Sequence, residues 1–204
     1  MYSKLQIFNL TLGALLLTKP IADTESDKSN EAKVLNLNYP IALAQTLQDL
    51  DLDSTSERTA LELIEELSNE EWLYLYKYPN NCAFLRRIVS GYVKDNRSTH
   101  IPKSTGTRNG IKVIYTNEPN AVAEYIHKDI NLNSLNPSAG LALVYRLAFL
   151  STSLLVGKGA LNIRRDIQAS YAFYKTEAQA HNRLENETFE DLAIDSEFVE
   201  ARTS

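Results

Sequence analysis

The chain has 204 residues, of which 44% are hydrophobic and 23% are charged, a balance typical of an ordinary folded domain and inconsistent with global disorder. Its formal net charge of -5 provides no general field for attracting nucleic acid, which argues against generic DNA binding. The single cysteine, Cys82, excludes an intrachain disulfide and a zinc site made of several thiolates from one chain.

The N-terminal segment predicts an amphipathic helix over residues 3–17, which Pro20 prevents from continuing. The segment superficially resembles an export signal, but polar residues interrupt its apolar run and no clear small-residue cleavage site follows. It is also too short and too polar to span a bilayer. One helical face would carry the apolar residues Leu5, Phe8, Leu12, Leu15 and Leu16.

A second helix is predicted over residues 29–48, with Ser29 or Asn30 as its N-cap. Pro40 is expected to bend this helix or to divide it in two, because proline removes a helical hydrogen bond. The inward stripe consists of Ala32, Leu35, Tyr39, Ala42, Leu43 and Leu47.

Strands are predicted near residues 59–65, 71–78, 85–93, 111–115 and 122–127, and residues 94–109 are interpreted as a long exposed loop. Residues 59–64 fit either a strand or a short helix, and the strand is favoured because an aromatic strand follows. The second strand is the most distinctive, because period-two alternation places four aromatic residues on one face and Pro79 ends the pairing. Such a face suits either a hairpin core or a contact between subunits. The four aromatic residues are Trp72, Tyr74, Tyr76 and Tyr78.

Two long helices are predicted to follow, over residues 137–156 and 161–187. Asn136 and Pro137 give the first a strong start, and Gly157 and Gly159 end it. The predicted fold class is α+β and mainly helical: a helix bundle with long helices, a small antiparallel β-hairpin region and an extended C-terminal tail. The domain is assigned to residues 1–185 and the tail to residues 186–204.

The tail mixes acidic residues with isolated apolar ones, so it is expected to order mainly on a partner. Its predicted partner-binding residues are Phe189, Leu192, Ile194, Phe198, Val199 and Arg202.

The sequence offers little support for catalysis or for a cofactor. His100, His127 and His181 lack a second ligand at metal-binding spacing, and the two glycines around Lys158 follow a helix, so they predict a helix stop rather than a phosphate loop. Acidic residues are plentiful enough to leave a small acid-pair cell-wall hydrolase as one alternative, and a monomeric cellular interaction module is another.

Two basic doublets are candidate inter-subunit contacts, since arginine binds carboxylate or phosphate in bidentate geometry, although solvated charge is equally compatible with them. The doublets are Arg86 with Arg87 and Arg164 with Arg165.

In their order along the chain, these elements resemble the head-to-tail adaptor family of tailed bacteriophages, also described as tail tubular protein A-like or head completion proteins. The resemblance rests on the helix ending at residues 17–21, the capped helix at residues 29–35, and the aromatic strand with its exit at residues 78–86. That family commonly shows a similar succession of Trp-x-Tyr-x-Tyr, Pro and Leu-Arg. Residues 110–115, 123–129 and 136–139 match its order of a hairpin, an Asp-ended strand and long helices.

The resemblance implies a structural virion protein without enzymatic activity or cofactor, located at the head-tail junction and assembled in the host cytoplasm. It implies a dodecameric ring that binds the portal protein on one side and the next tail component, a nozzle or tail terminator, on the other. DNA would pass through its central channel without sequence-specific binding, and no membrane would be involved. The C-terminal tail would bind the portal.

Overall fold

The computed structural model describes residues 2–67, 71–91, 101–157 and 159–186, and within these ranges the chain forms four α-helices and seven β-strands. Two single 3-10 turns, Asp53–Thr55 and Leu132–Ser134, lie between them. In chain order the elements are α1 (Lys4–Ala14), α2 (Asn30–Leu50), β1 (Ser56–Ala60), β2 (Leu63–Glu66), β3 (Tyr74–Lys77), β4 (Cys82–Ser90), β5 (Lys103–Arg108), β6 (Ile111–Thr116), β7 (Ala121–His127), α3 (Pro137–Leu155) and α4 (Ala160–Asn186).

The strands form two antiparallel sheets. The three-stranded sheet has the order β1-β7-β4, and the four-stranded sheet has the order β2-β3-β6-β5. Since side chains alternate between the faces of a strand, β7 serves two cores at once. Ala123 and Tyr125 pack with Tyr76 and Ile114 of the four-stranded sheet, whereas Ile126 belongs to the helical core. The three-stranded sheet is therefore the middle layer, between the helices and the four-stranded sheet.

Local capping chemistry explains where the helices begin. The Ser3 hydroxyl accepts from the Gln6 amide while the Gln6 side chain accepts from the Ser3 amide, a reciprocal capping box. At the starts of α2 and α3, the Ser29 and Asn136 side chains each accept a single hydrogen bond from a main-chain amide, that of Ala32 and that of Ala139.

Helix α3 is the centre of the helical layer and contacts α1, α2 and α4. Its length and apolar composition would allow it to cross a membrane, and 56% of its most apolar window is buried within the protein. The core helix of a globular layer has the same composition, so this feature is explained by the packing of α3. Fully buried residues of α3 include Ala139, Ala142, Leu143, Leu147 and Ala148.

The predicted fold class is wrong, because the β structure is much more extensive than a small hairpin region beside a helix bundle. The single strand predicted over residues 59–65 is in fact two strands, β1 and β2, which belong to different sheets. The chain passes between the sheets at residues 61–62, where the Leu61 amide donates to the Ala121 carbonyl and the Glu62 carbonyl accepts from the Lys77 amide.

The predicted long loop is also wrong over residues 103–108, which form β5 along the edge of the four-stranded sheet. Polar and glycine-containing residues suit this strand because its side chains are largely exposed. A two-residue turn at Asn109-Gly110 joins it to β6, and both residues have positive φ, 52° and 77°. Asn-Gly is the preferred sequence for a turn of this kind.

Two smaller expectations also change. Pro40 lies inside a continuous helix, so it does not divide α2. Trp72 precedes β3 and packs with Leu75 and Val113, whereas Tyr74 and Tyr76 belong to the core between the sheets. The four aromatic residues therefore do not share one face. The Tyr76 side chain is buried, with its hydroxyl donating to the Glu118 carbonyl, which favours the hairpin-core interpretation at that position.

Candidate interaction surfaces

A β-bulge brings the arginine doublet of β4 to a single carboxylate. Leu85 pairs with Tyr125 and Arg87 with Glu124, so Arg86 is the extra residue of the bulge. Adjacent strand residues normally point to opposite faces, but both guanidinium groups here reach Glu124, at 3.3 Å from Arg86 Nη1 to Oε1 and 3.1 Å from Arg87 Nη2 to Oε2. Arg58 Nη2 of β1 lies 2.7 Å from Oε2.

Arg86 also ties this carboxylate to the end of α2. Its Nε lies 2.7 Å from Asp51 Oδ1, and its Nη1 lies 2.5 Å from Asp53 Oδ1. Asp51 is the C-cap of α2 and has φ of 49°. Three arginines and three carboxylates thus form a neutral network, named here the Arg86 network, at the junction of the helical layer and the three-stranded sheet. Its members are Asp51, Asp53, Arg58, Arg86, Arg87 and Glu124.

Glu124 is the buried member of the Arg86 network, with only 5% of its surface exposed. Burial alone raises its pKa, but hydrogen bonds from Arg87 and Arg58, together with their charges, outweigh this effect and leave the pKa below its ordinary value. The group therefore remains an anion inside the protein. The network holds α2 against the sheet and pairs Arg86 and Arg87 with carboxylates of the same chain. The inter-subunit contact predicted for these two arginines stays a prediction.

A second cluster of polar side chains surrounds a cavity of about 290 Å³ between α3, α4 and the end of α2, named here the α3–α4 cleft. Asp49 pairs with Arg146 and accepts a 2.6 Å hydrogen bond from the Tyr171 hydroxyl. The Arg146 guanidinium lies 4.1 Å from the centre of the Tyr171 ring. Phe149, Gln168, Ala172 and Lys175 complete the walls.

Titration in the α3–α4 cleft follows from these contacts. Burial raises the pKa of Asp49, and the Tyr171 hydrogen bond with the charges of Lys175 and Arg146 more than reverses this rise, so the pKa is lowered overall. Burial and the bond to Asp49 raise the pKa of Tyr171 to about 12. At neutral pH Asp49 is therefore an anion and Tyr171 keeps its proton, and both lie beside the basic side chains of Arg146 and Lys175.

The second arginine doublet lies on the first turns of α4, and both residues are exposed. The Arg164 guanidinium stacks 4.3 Å from the centre of the Phe149 ring, so this cation lies beside the α3–α4 cleft. Arg165 does not belong to the Arg86 network. The structure therefore separates the two doublets: one lies within the fold and the other on its surface.

Among the described residues, helices α2 and α4 each expose two or more large apolar side chains, whereas α1 and α3 expose one each, Leu10 and Leu154. Helix α2 exposes Leu37 and Ile41, and α4 exposes Leu161, Phe173 and Leu184, of which Leu161 is 80% exposed and Phe173 is 62% exposed. Helix α3 lies beside both helices, and α2 meets α4 near its C-terminal end, where Asp49 and Asp53 bond to Gln179 and Asn182. The exposed apolar side chains of the helices are therefore most numerous on α2 and α4.

The predicted partner-binding residues from Phe189 to Arg202 lie outside the described residues. Among the residues that are described, no group of three or more His, Cys, Asp or Glu side chains has a geometry that would hold a metal ion. Gly157 and Gly159 both have positive φ where α3 gives way to α4, a geometry suited to ending a helix.

The carboxylates at the centres of both clusters, Glu124 and Asp49, are not among the site residues that the sequence predicts. Glu124 had a detectable signal, since a lone acidic residue within a strand as apolar as residues 121–126 requires cationic partners if the strand is buried. The pairing of Asp49 with Arg146 and Tyr171 had no such signal, because these residues are about a hundred positions apart and meet only through helix packing.

The chain matches no known family model and no curated protein.

Proposed function

We propose that the chain is a structural virion protein, a head-to-tail adaptor whose copies form a dodecameric ring between the portal and the tail of a bacteriophage. The order of motifs set out above supports this proposal. The observation that carries it in the structure is the exposure of large apolar side chains on both α2 and α4. Leu37 and Ile41 lie about one helical turn apart on α2, and α4 exposes three large apolar side chains along its length. Exposed apolar groups are available for contacts between subunits, and a ring requires two different surfaces on each subunit.

The surface charge fits the same proposal. Arg164 and Arg165 begin α4 on the exposed side of the helical layer and are suited to carboxylates of a neighbouring copy. Residues 1–186 hold twenty acidic and twenty basic residues, so they carry no excess positive charge. This suits a channel through which DNA slides, because phosphate contacts with basic groups drive nonspecific affinity.

The decisive experiment is to co-express the tagged chain with the portal protein of the same source and to image the co-purified material by negative-stain electron microscopy. Rings that cap the portal are the expected result. A compact monomer that never associates with the portal would contradict the proposal, and activity on cell-wall substrate would then be the next measurement.

The C-terminal tail can be tested in the same assay. We expect deletion of residues 186–204 to abolish co-purification with the portal while leaving the folded core intact, because the caps and buried side chains described above lie before residue 186. Circular dichroism of the deleted chain provides the control for folding. Unchanged co-purification would assign portal binding to another surface.

A further inference from the structure

The net charge of this protein is concentrated at one end of the chain. Residues 187–204 contain six of the 26 acidic residues but only one of the 21 lysines and arginines, so residues 1–186 hold twenty of each sign and are formally neutral. The same eighteen residues carry Phe189 and Phe198, each with acidic residues nearby. An acidic segment with aromatic anchors is best matched by a site that combines cations with apolar walls.

The α3–α4 cleft is such a site. Arg146 and Lys175 outnumber Asp49 within it, and Arg164 adds a third cation beside Phe149. The Arg146 Nε is buried and has no hydrogen-bond partner among the described residues. The rings of Phe149 and Tyr171 supply apolar walls, and the volume of about 290 Å³ is just below the range for ligand pockets, roughly 300–1,000 Å³. The cleft is therefore of a size for one or two side chains.

From these features we propose that the α3–α4 cleft binds the acidic C-terminal segment of the same chain, with the Phe198 ring against the aromatic walls and the Glu197 carboxylate facing the cations. The C-terminal segment is long enough to return from the end of α4 to the cleft. Helix α4 runs fourteen residues from Ala172 to Asn186, roughly 21 Å at 1.5 Å per residue. The twelve residues from Asn186 to Phe198 span up to about 40 Å when extended. Covalent attachment also gives the segment a high effective concentration at the cleft.

This inference concerns the isolated chain and does not depend on ring assembly or on the portal, so each can fail without the other. Spin labelling of the full-length chain tests it directly. Cys82 is buried, so a cysteine introduced by Ala201→Cys offers a selective attachment site. In the ¹⁵N-labelled protein, we expect the spin label to broaden the amide signals of residues 146–149 and 168–175 beyond those of α1.

Matched variants identify the contacts. Gln168→Glu adds a negative charge to the cleft and Phe198→Ala removes the anchor, and we expect each to abolish the extra broadening. Gln45→Glu, on an exposed position of α2, and Phe189→Ala are the controls, and both should retain it. The dispersion of the amide spectrum shows in each case that the variant is folded.

Two results would overturn the proposal. The first is a spectrum of the spin-labelled chain in which the cleft amides are broadened no more than those of α1. Extra broadening that persists unchanged in the Gln168→Glu and Phe198→Ala variants has the same meaning. The other comes from mixing ¹⁵N-labelled chain without spin label and unlabelled chain with it. Cleft broadening in that mixture would assign the contact to the tail of a second copy, whereas its absence, with broadening in the singly labelled chain, supports binding within one chain.

Discussion

At the scale of single residues, Glu124 is the group on which the junction between helices and sheet depends. Removing the charge with Glu124→Gln leaves Arg58, Arg86 and Arg87 without their shared buried anion. We expect a loss of about 2–4 kcal/mol in the free energy of unfolding, because a buried polar network that loses one partner keeps the desolvation cost of the others. Urea denaturation monitored by circular dichroism measures this loss.

The matched control is Glu65→Gln on β2. Glu65 pairs with Arg108 at 3.0 Å, but both side chains are substantially exposed. Exposed ion pairs contribute at most about 1 kcal/mol, so this variant should unfold close to the midpoint of the natural chain. Equal losses for the two variants would show that the Arg86 network has no special stabilising role.

The lowered pKa of Glu124 makes the stability of the fold sensitive to acid. Because its folded pKa is below the ordinary value of 4.5, the stabilisation from Glu124 is fully present above that value. It is lost as the pH falls through the lower folded pKa. Asp49, whose pKa is also lowered, contributes in the same direction. We expect unfolding midpoints in urea to decrease with acidification below pH 4.5, and to decrease less steeply in Glu124→Gln. Parallel pH profiles for the two proteins would contradict this.

At the scale of elements, two helical glycines give opposite predictions. A Cβ at Gly13 of α1 would meet no atom within 4 Å, whereas a Cβ at Gly140 of α3 would lie 2.1 Å from the Tyr2 ring. Alanine is favoured over glycine in helices by roughly 0.5–1 kcal/mol. We therefore expect Gly13→Ala to raise the melting temperature. Gly140→Ala should lower it, because the Tyr2 ring must move away from α3 and its hydroxyl loses the hydrogen bond to the Pro137 carbonyl.

A double-mutant cycle separates this contact from a general effect on α3. In a Tyr2→Ala background the obstacle is absent, so Gly140→Ala should become neutral or stabilising. Calorimetric melting of the four proteins measures the coupling. If Gly140→Ala is equally destabilising with and without the Tyr2 ring, the origin of the effect lies elsewhere in α3.

The sequence predicts those elements whose signals are local. Ser29 and Asn136 identify the starts of α2 and α3 because a capping side chain acts within three residues. The apolar stripe of α3 is equally clear in the sequence, because the helix packs against α1, α2 and α4 and must present apolar side chains to each of them. The sequence does not predict strand β5, because an exposed edge strand lacks the alternation of apolar and polar residues. The Asn109-Gly110 pair is nevertheless a hairpin signal in the sequence.

The candidate sites are less predictable because they depend on register and packing. The arginine doublet of β4 was recognised as chemically notable, but only the bulge at Arg86 determines that both guanidinium groups reach Glu124. No periodic pattern reveals a one-residue bulge. The α3–α4 cleft is formed by residues of three helices, so the sequence alone does not show that these residues lie together.

At the scale of the whole molecule, the three layers share buried contacts through β7. One face of this strand contributes Ile126 to the helical core, and the other contributes Ala123 and Tyr125 to the core between the sheets. The Arg86 network adds a polar connection between the helices and the same strand.

The proposed ring requires contacts between neighbouring copies of the chain. If Arg164 and Arg165 contact a neighbouring copy, the double charge reversal Arg164→Glu with Arg165→Glu should prevent rings from forming on the portal, because like charges at a contact cost several kcal/mol. Both side chains are exposed at the start of α4, so the fold should survive. The control is Lys19→Glu with Lys28→Glu, an equal charge change in the exposed connector before α2. Electron microscopy of portal co-purifications distinguishes the two double variants. Rings formed by the control alone support the α4 contact. Rings formed by both variants place the contact between copies on another face, and the exposed Leu37 and Ile41 of α2 are then the next residues to change.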